Sequence, residues 1–147
     1  MILTAALRKK SGFTLIELLV VMTIIAVLAG LALVSFQGTR KTARDGKRKA
    51  DLEQVRSALE MRRADCGSYP SGSLSSGGNI TGDGSNPSCL ASTVYITIPA
   101  DSLPGRVYSY TGAANSYTLC AALEVGGGIV SGCGSCGVTC NWKVTNP

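Results

Sequence analysis

Residues 12–36, GFTLIELLVVMTIIAVLAGLALVSF, decide how the rest of the 147-residue chain is read. The run is apolar, follows three adjacent basic residues (Arg8, Lys9, Lys10), and carries one charge, Glu17. From residue 18 to residue 39 there are 22 residues without a charge. At about 1.5 Å per residue they make roughly 33 Å of helix, enough to cross a hydrocarbon core of about 30 Å. A carboxylate at the edge of such a span is costly, on the order of 3 kcal/mol for an acid at the centre, and such groups usually have a function. Two readings of Glu17 follow from position alone. It pairs with a specific partner, or it sits near the interface and snorkels or protonates.

The segment Lys-Lys-Ser-Gly-Phe-Thr-Leu-Ile-Glu-Leu-Leu (9–19) resembles the amino-terminal signature of type IV prepilins and of the pseudopilins of type II secretion. In that family a membrane peptidase cuts after the glycine, here Gly12, and N-methylates the new first residue, here Phe13. The resemblance implies a docking role for Glu17 in a helical filament. A freed Phe13 amine would lie about 6 Å along a helix from Glu17, and a neighbouring subunit's amine could satisfy the carboxylate in low dielectric. An ordinary signal peptide, with Gly30-Leu31-Ala32 as a weak cleavage site, fits less well because of Glu17 and the length of the run.

Formal net charge is +5, but the leader holds three of the fourteen basic residues. A chain beginning at Phe13 would set eleven against nine acids, a net +2, which gives little support to nucleic-acid binding. The run 40–49 has six basic residues and one acid; such a run can touch anionic lipid headgroups or DNA, but it more often is a solvated helix face, and it lacks the aromatics of a single-strand platform. Its charge opposes the orientation that Arg8, Lys9 and Lys10 favour by the positive-inside rule. The cysteines and the family resemblance place the carboxy-terminal part outside.

The expected fold is α+β and pilin-like. A leader (1–12) is followed by a transmembrane or filament-core helix (13–39), an amphipathic half of the same helix (40–65), and a head (66–147) with an antiparallel sheet and a Cys-rich tail. Leu52, Val55 and Leu59 form an apolar stripe, so one helix is expected from residue 13 to residue 64. Gly38 and Gly46 are its weak points. Asp51, Glu53 and Glu60 are expected to face solvent, with Glu53–Arg56 and Glu60–Arg63 as weak ion pairs. Many pilins carry proline where this chain has Val34, which leaves the local unwinding known there without its cause. Tyr69-Pro70 just past the helix also resembles the family. Residues 71–88 read as a Ser/Gly/Asn-rich loop, in which Asn79-Ile80-Thr81 is a chance sequon. Strands are expected at 93–98, 106–111, 116–123 and 138–144, with a hairpin turn at 112–115. The tyrosines and Trp142 are expected in the core or on the sheet.

There is no histidine, which removes Ser-His-Asp and Cys-His mechanisms and histidine-ligated metals. The six cysteines (Cys66, Cys89, Cys120, Cys133, Cys136, Cys140) all follow residue 65 and read as disulfides in an oxidising compartment. About 15 pairings are open, including Cys133 with Cys136 and longer bonds from that cluster to Cys66, Cys89 or Cys120. A metal or thiol-redox reading of the C-x2-C-x3-C cluster is the minor alternative. The major pseudopilin of type II secretion, which this chain resembles, binds calcium through late acids. Residues 125–137 hold no acid and only Glu124 precedes them, so no metal and no cofactor are expected.

The expected function is structural and non-enzymatic: a subunit of a type IV pilus-like filament, with a type II secretion or DNA-uptake pseudopilin as the alternative. Implied partners are identical subunits, a prepilin peptidase and an inner-membrane platform. The implied location is the inner membrane with the head outside, then a cell-surface or periplasmic filament.

Overall fold

The computed structural model describes residues 12–147; leader residues 1–11 lie outside the described residues. The chain divides into two compact units, Met1–Thr39 and Arg40–Pro147. One helix, α1 (Leu15–Cys66), contributes to both. It starts two residues later than expected and ends two later. Its backbone stays helical through Gly38, Val34 and Gly46, as a stretch with no proline before Pro70 allows. Gly67, at φ +76°, ends it in the left-handed conformation and donates its N–H to the Arg63 carbonyl at 2.8 Å.

In the Arg40–Pro147 unit, four antiparallel strands lie in the order β1-β4-β5-β6: β1 (Gly72–Ser75), β4 (Ser109–Ala113), β5 (Ser116–Ala121) and β6 (Trp142–Thr145). A second pair joins β2 (Asn79–Thr81) to β3 (Val94–Thr97). Residues 71–88 are therefore not only a loop. β1 pairs Leu74 with Tyr110, and Ile80 is fully buried in β2. Edge pairing through backbone groups suits such a Ser/Gly segment, whose side chains announce no strand. The expected strand at 106–111 begins later, at Ser109, and the one at 138–144 shortens to β6. The hairpin turn is tighter than expected. Ala113 pairs with Ser116, leaving only Ala114 and Asn115 between strands.

The core joins Leu52, Val55 and Leu59 to Ile80, Ile98, Leu119 and four tyrosines. A buried hydroxyl without a partner is costly, and each of these four is satisfied. Tyr69 and Tyr117 donate to Glu60 at 2.9 and 3.1 Å, Tyr108 to Asp51 at 2.7 Å, and Tyr110 to the Pro70 carbonyl at 2.6 Å. Asp51 and Glu60 are thus half-buried acceptors, not solvent-facing groups. Glu53 does pair with Arg56 at 3.5 Å, but Arg63 lies over the Tyr69 ring at 4.7 Å instead of meeting Glu60. Tyr69 and Tyr117 meet edge to face, 4.7 Å between centroids. Gly112 has no room for a Cβ, which would stand 2.0 Å from the Tyr110 hydroxyl and 2.4 Å from the Pro70 carbonyl. Trp142 packs against the core, with Lys49 Nζ 4.5 Å from its ring centroid.

The cysteines pair Cys66–Cys89, Cys120–Cys133 and Cys136–Cys140. The CxxC pair is split: Cys133 ties to β5 and Cys136 to its neighbour four residues on. Cys120, Cys136 and Cys140 form a second small core with Ala122, against which Val130 packs. The Cys66–Cys89 bond spans 23 residues and ties the end of α1 to the loop after β2. Replacing both of its cysteines with serine should cost about 3 kcal/mol, since that loop is the longest closed by a disulfide. Urea denaturation of the full chain in detergent, compared with the Cys136→Ser/Cys140→Ser chain, should show the larger loss for the Cys66/Cys89 pair.

Candidate assembly segment and the ion network of the head

The amino-terminal segment begins with Gly12, Phe13 and Thr14 outside the helix. Thr14 is the N-cap of α1, and its carbonyl accepts from the Leu18 N–H at 3.3 Å. Its hydroxyl oxygen accepts from the Glu17 N–H at 3.3 Å. Glu17 Oε2 reaches back to accept from the Thr14 N–H at 2.9 Å and from the Thr14 hydroxyl at 2.8 Å. This is a capping box, T-x-x-E, in which each residue satisfies the other's backbone donor. Sequence reasoning assigned Glu17 to a freed amine and overlooked Thr14, although the Thr-Leu-Ile-Glu spacing is the signal for it. In the uncleaved chain the carboxylate is therefore held by its own helix, with Gly12 and Phe13 exposed just before it.

Beyond Glu17 the described surface of the segment is mostly apolar. Fourteen large apolar side chains from Phe13 to Phe36 are 47–86% exposed. Burying each one fully contributes roughly 1.5–3 kcal/mol, and a monomer in water does not leave a face of that size open. The helix is long and apolar enough to cross a membrane, and lipid or other copies of the same surface would cover it.

The Arg40–Pro147 unit carries the second feature. The basic run at 40–49 was expected to be solvated, yet Arg48 is fully buried and Asp45 is 4% exposed. Arg48 holds Asp101 through two bonds of 2.6 and 2.8 Å, and its Nη1 also donates to Asp45 at 2.7 Å and to Glu124 at 3.0 Å. Arg44 clamps Glu124 with two bonds of 2.6 and 2.7 Å. Asp45 in turn accepts from the backbone N–H groups of Glu124 and Val125, at 2.8 and 2.7 Å. Two parts of the head thus converge on one turn of α1: the loop after β3 through Asp101, and the segment after β5 through Glu124 and Val125. Among the described residues no buried side-chain polar atom lacks a partner.

The same contacts set the acidities. The Arg44 guanidinium beside Glu124, with help from Arg48, holds that carboxyl down at about 2. Burial pushes Asp45 and Asp101 up. Backbone donors and Arg48 outweigh it, and both end below the ordinary carboxylate range. Asp101 contacts and burial move Arg48 in opposite directions, and its net shift is upward, so it stays charged. Arg62 forms a smaller tie of the same kind, donating to the Thr81 and Ser68 carbonyls and to Asp83. Cys66, Asp83 and Cys89 bring three ligand-type atoms within 4.8 Å, but the two sulfurs are joined to each other.

Comparison with known proteins bears on the first site. Residues 7–33 match the prokaryotic N-terminal methylation motif. The chain is 36% identical over 63 residues to the type II secretion system core protein G of Aeromonas hydrophila, covering 43% of this chain and 44% of that protein. It is 38% identical over 65 residues to the protein of the same name in Escherichia coli K12, covering 44% and 45%. The Pseudomonas aeruginosa protein is 38% identical over 64 residues, again 44% and 45%. The chain thus spans less than half the length of the curated relatives it matches, and no solved structure matches it.

The ion network predicts an acid-labile head. Each of its carboxyls has a folded value below its unfolded one, about 4. The stabilisation is therefore complete above roughly pH 4.5 and fades as pH falls toward 2. Thermal scans from pH 7 to pH 2 should show that limb, and Glu124→Gln should flatten it. Arg48→Ala, which leaves buried acids uncompensated, should cost roughly 3–5 kcal/mol at pH 7 in urea denaturation. On the motif match and the fold together, this chain carries a prepilin-type N-terminal methylation motif ahead of a pilin-like α+β head stapled by disulfides.

Proposed function

We propose that the chain is a pseudopilin-type subunit of a secretion system, cleaved after Gly12, N-methylated on Phe13 and assembled into a short periplasmic filament through its apolar helix. The observation that carries this reading is the match to core protein G of type II secretion systems over 63–65 residues, which favours secretion over the long surface pilus expected first. The role is architectural and not enzymatic. The six cysteines are paired, and Glu124 is committed to Arg44 and Arg48.

Processing and assembly would use the exposed amino-terminal segment in sequence. A prepilin peptidase takes the Gly12–Phe13 bond, which lies outside helix and needs no unwinding. Cleavage creates an amine one residue before the capping box. Glu17 can then exchange its Thr14 bonds for that amine or for a neighbouring subunit's, a stronger charge-assisted contact. The apolar face meanwhile passes from lipid to the same face of other subunits, guided by an inner-membrane platform. Driving energy comes from elsewhere in the machine.

Intact mass and amino-terminal sequencing of protein from its native envelope should find N-methylated Phe13; a chain starting at Met1 overturns the proposal. Gly12→Val should leave an uncleaved, membrane-retained precursor. Glu17→Leu should be cleaved normally yet enter sheared filaments severalfold less than wild type when the two are co-expressed, and equal entry would remove its docking role. Deleting the chain should hold an exported protein in the periplasm while leaving long surface filaments in place; the reverse phenotype would select the pilus.

A further inference from the structure

Eleven basic residues follow Gly12, and the structure shows where each is spent. Arg44 and Arg48 are locked to acids, Arg56 and Arg62 face Glu53 and Asp83, Lys49 and Arg63 lie over aromatic rings, and Arg106 and Lys143 donate to the Ala122 and Ser131 carbonyls. Arg40, Lys41 and Lys47 remain, exposed and with no such contact among the described residues. They are not scattered. Arg40 and Lys41 directly follow the uncharged run that ends at Thr39, and Lys47 comes two helical turns after Arg40, on nearly the same side of the helix.

A second copy would offer these cations only acids that already have a partner in their own chain. All nine acids already accept a hydrogen bond or form an ion pair in their own chain: three in the Arg44–Arg48 network, three under tyrosine hydroxyls, two against Arg56 and Arg62, and Glu17 against Thr14. We propose that Arg40, Lys41 and Lys47 form a collar that binds the phosphates of anionic phospholipid headgroups in the leaflet from which the head emerges. The proposal rests on reading residues 13–39 as a membrane span. Where the facing leaflet carries anionic lipid, each basic residue beside a span contributes about fivefold to partitioning. Salt screens the contact over about 8–10 Å. The collar holds the head at the membrane surface before assembly, and leaving the membrane requires these three contacts to be given up.

The test uses the full chain in vesicles of phosphatidylglycerol or of phosphatidylcholine, treated with a membrane-impermeant amine reagent and read by peptide mass. Lys143, exposed and far along the chain, is the internal reference. Lys41 and Lys47 should label at least fivefold more slowly than Lys143 in phosphatidylglycerol but not in phosphatidylcholine. The protection should vanish in 0.5 M salt, and Arg40→Gln with Lys41→Gln should weaken it severalfold at Lys47. Equal labelling in both lipids overturns the collar. Protection in phosphatidylcholine on adding inorganic phosphate overturns the lipid assignment in favour of any phosphate. Protection that falls as the protein is diluted within the bilayer overturns it in favour of a neighbouring copy. Flotation of the chain with carbonate-washed vesicles of either lipid reports the span separately, so failure of the anchor is distinguished from failure of the collar.

Discussion

A guanidinium with no access to water holds the head of this protein together. Arg48 can be buried only because three carboxylates surround it and because those carboxylates are themselves bonded to Arg44 and to backbone N–H groups. A single charge in such a place would be expelled or neutralised. A network in which every member has a partner instead fixes geometry. It specifies which turn of α1 the loop after β3 and the tail after β5 must meet. The Gly-rich tail has few apolar side chains with which to find its own place. Asp45, gripping the Glu124 and Val125 backbone, and the Cys120–Cys133 bond supply what packing does not.

The tyrosines solve a related problem. A head of about a hundred residues needs large side chains to fill a core, and tyrosine fills volume at the expense of a hydroxyl that must be satisfied. Asp51 and Glu60 stand on α1 where those hydroxyls arrive, so the same helix supplies both the apolar stripe and its polar terminators. The acids are then unavailable to anything outside the chain. Positive charge is left in surplus at one place, the turns that open the Arg40–Pro147 unit.

The amino-terminal segment obeys different rules. Among the described residues nothing in its own unit covers its apolar side chains, and its one acid is folded back on Thr14. A capping box at the start of this helix satisfies two of its backbone donors, those of Thr14 and Glu17.

Much of this was legible in the residues. The 22-residue uncharged run, Gly12 before Phe13 and Glu17 after it were enough for the methylation motif, because membrane length and cleavage chemistry are read locally along the chain. The stripe of Leu52, Val55 and Leu59 was enough for a helix packed on a sheet, because helical period and burial go together. What the linear pattern misassigned were groups whose partners lie far away in sequence. Arg48 and Asp45 looked like a solvated charge run, and only Asp101 and Glu124, more than fifty residues on, make them interior. Asp51 and Glu60 looked exposed until the tyrosines reached them. β1 and β2 looked like loop because edge pairing uses backbone groups that every residue has. Cysteine spacing left the pairing open, with Cys133–Cys136 one choice among many, and the tertiary structure joins Cys133 to Cys120 in β5. Sequence alone therefore determined the membrane-length helix, the N-terminal methylation motif and the class of fold, which depend on local length and period. Tertiary structure decided the ion network, the disulfide partners and which charges stay free, since a long-range contact is a property of where two segments meet and not of either segment alone.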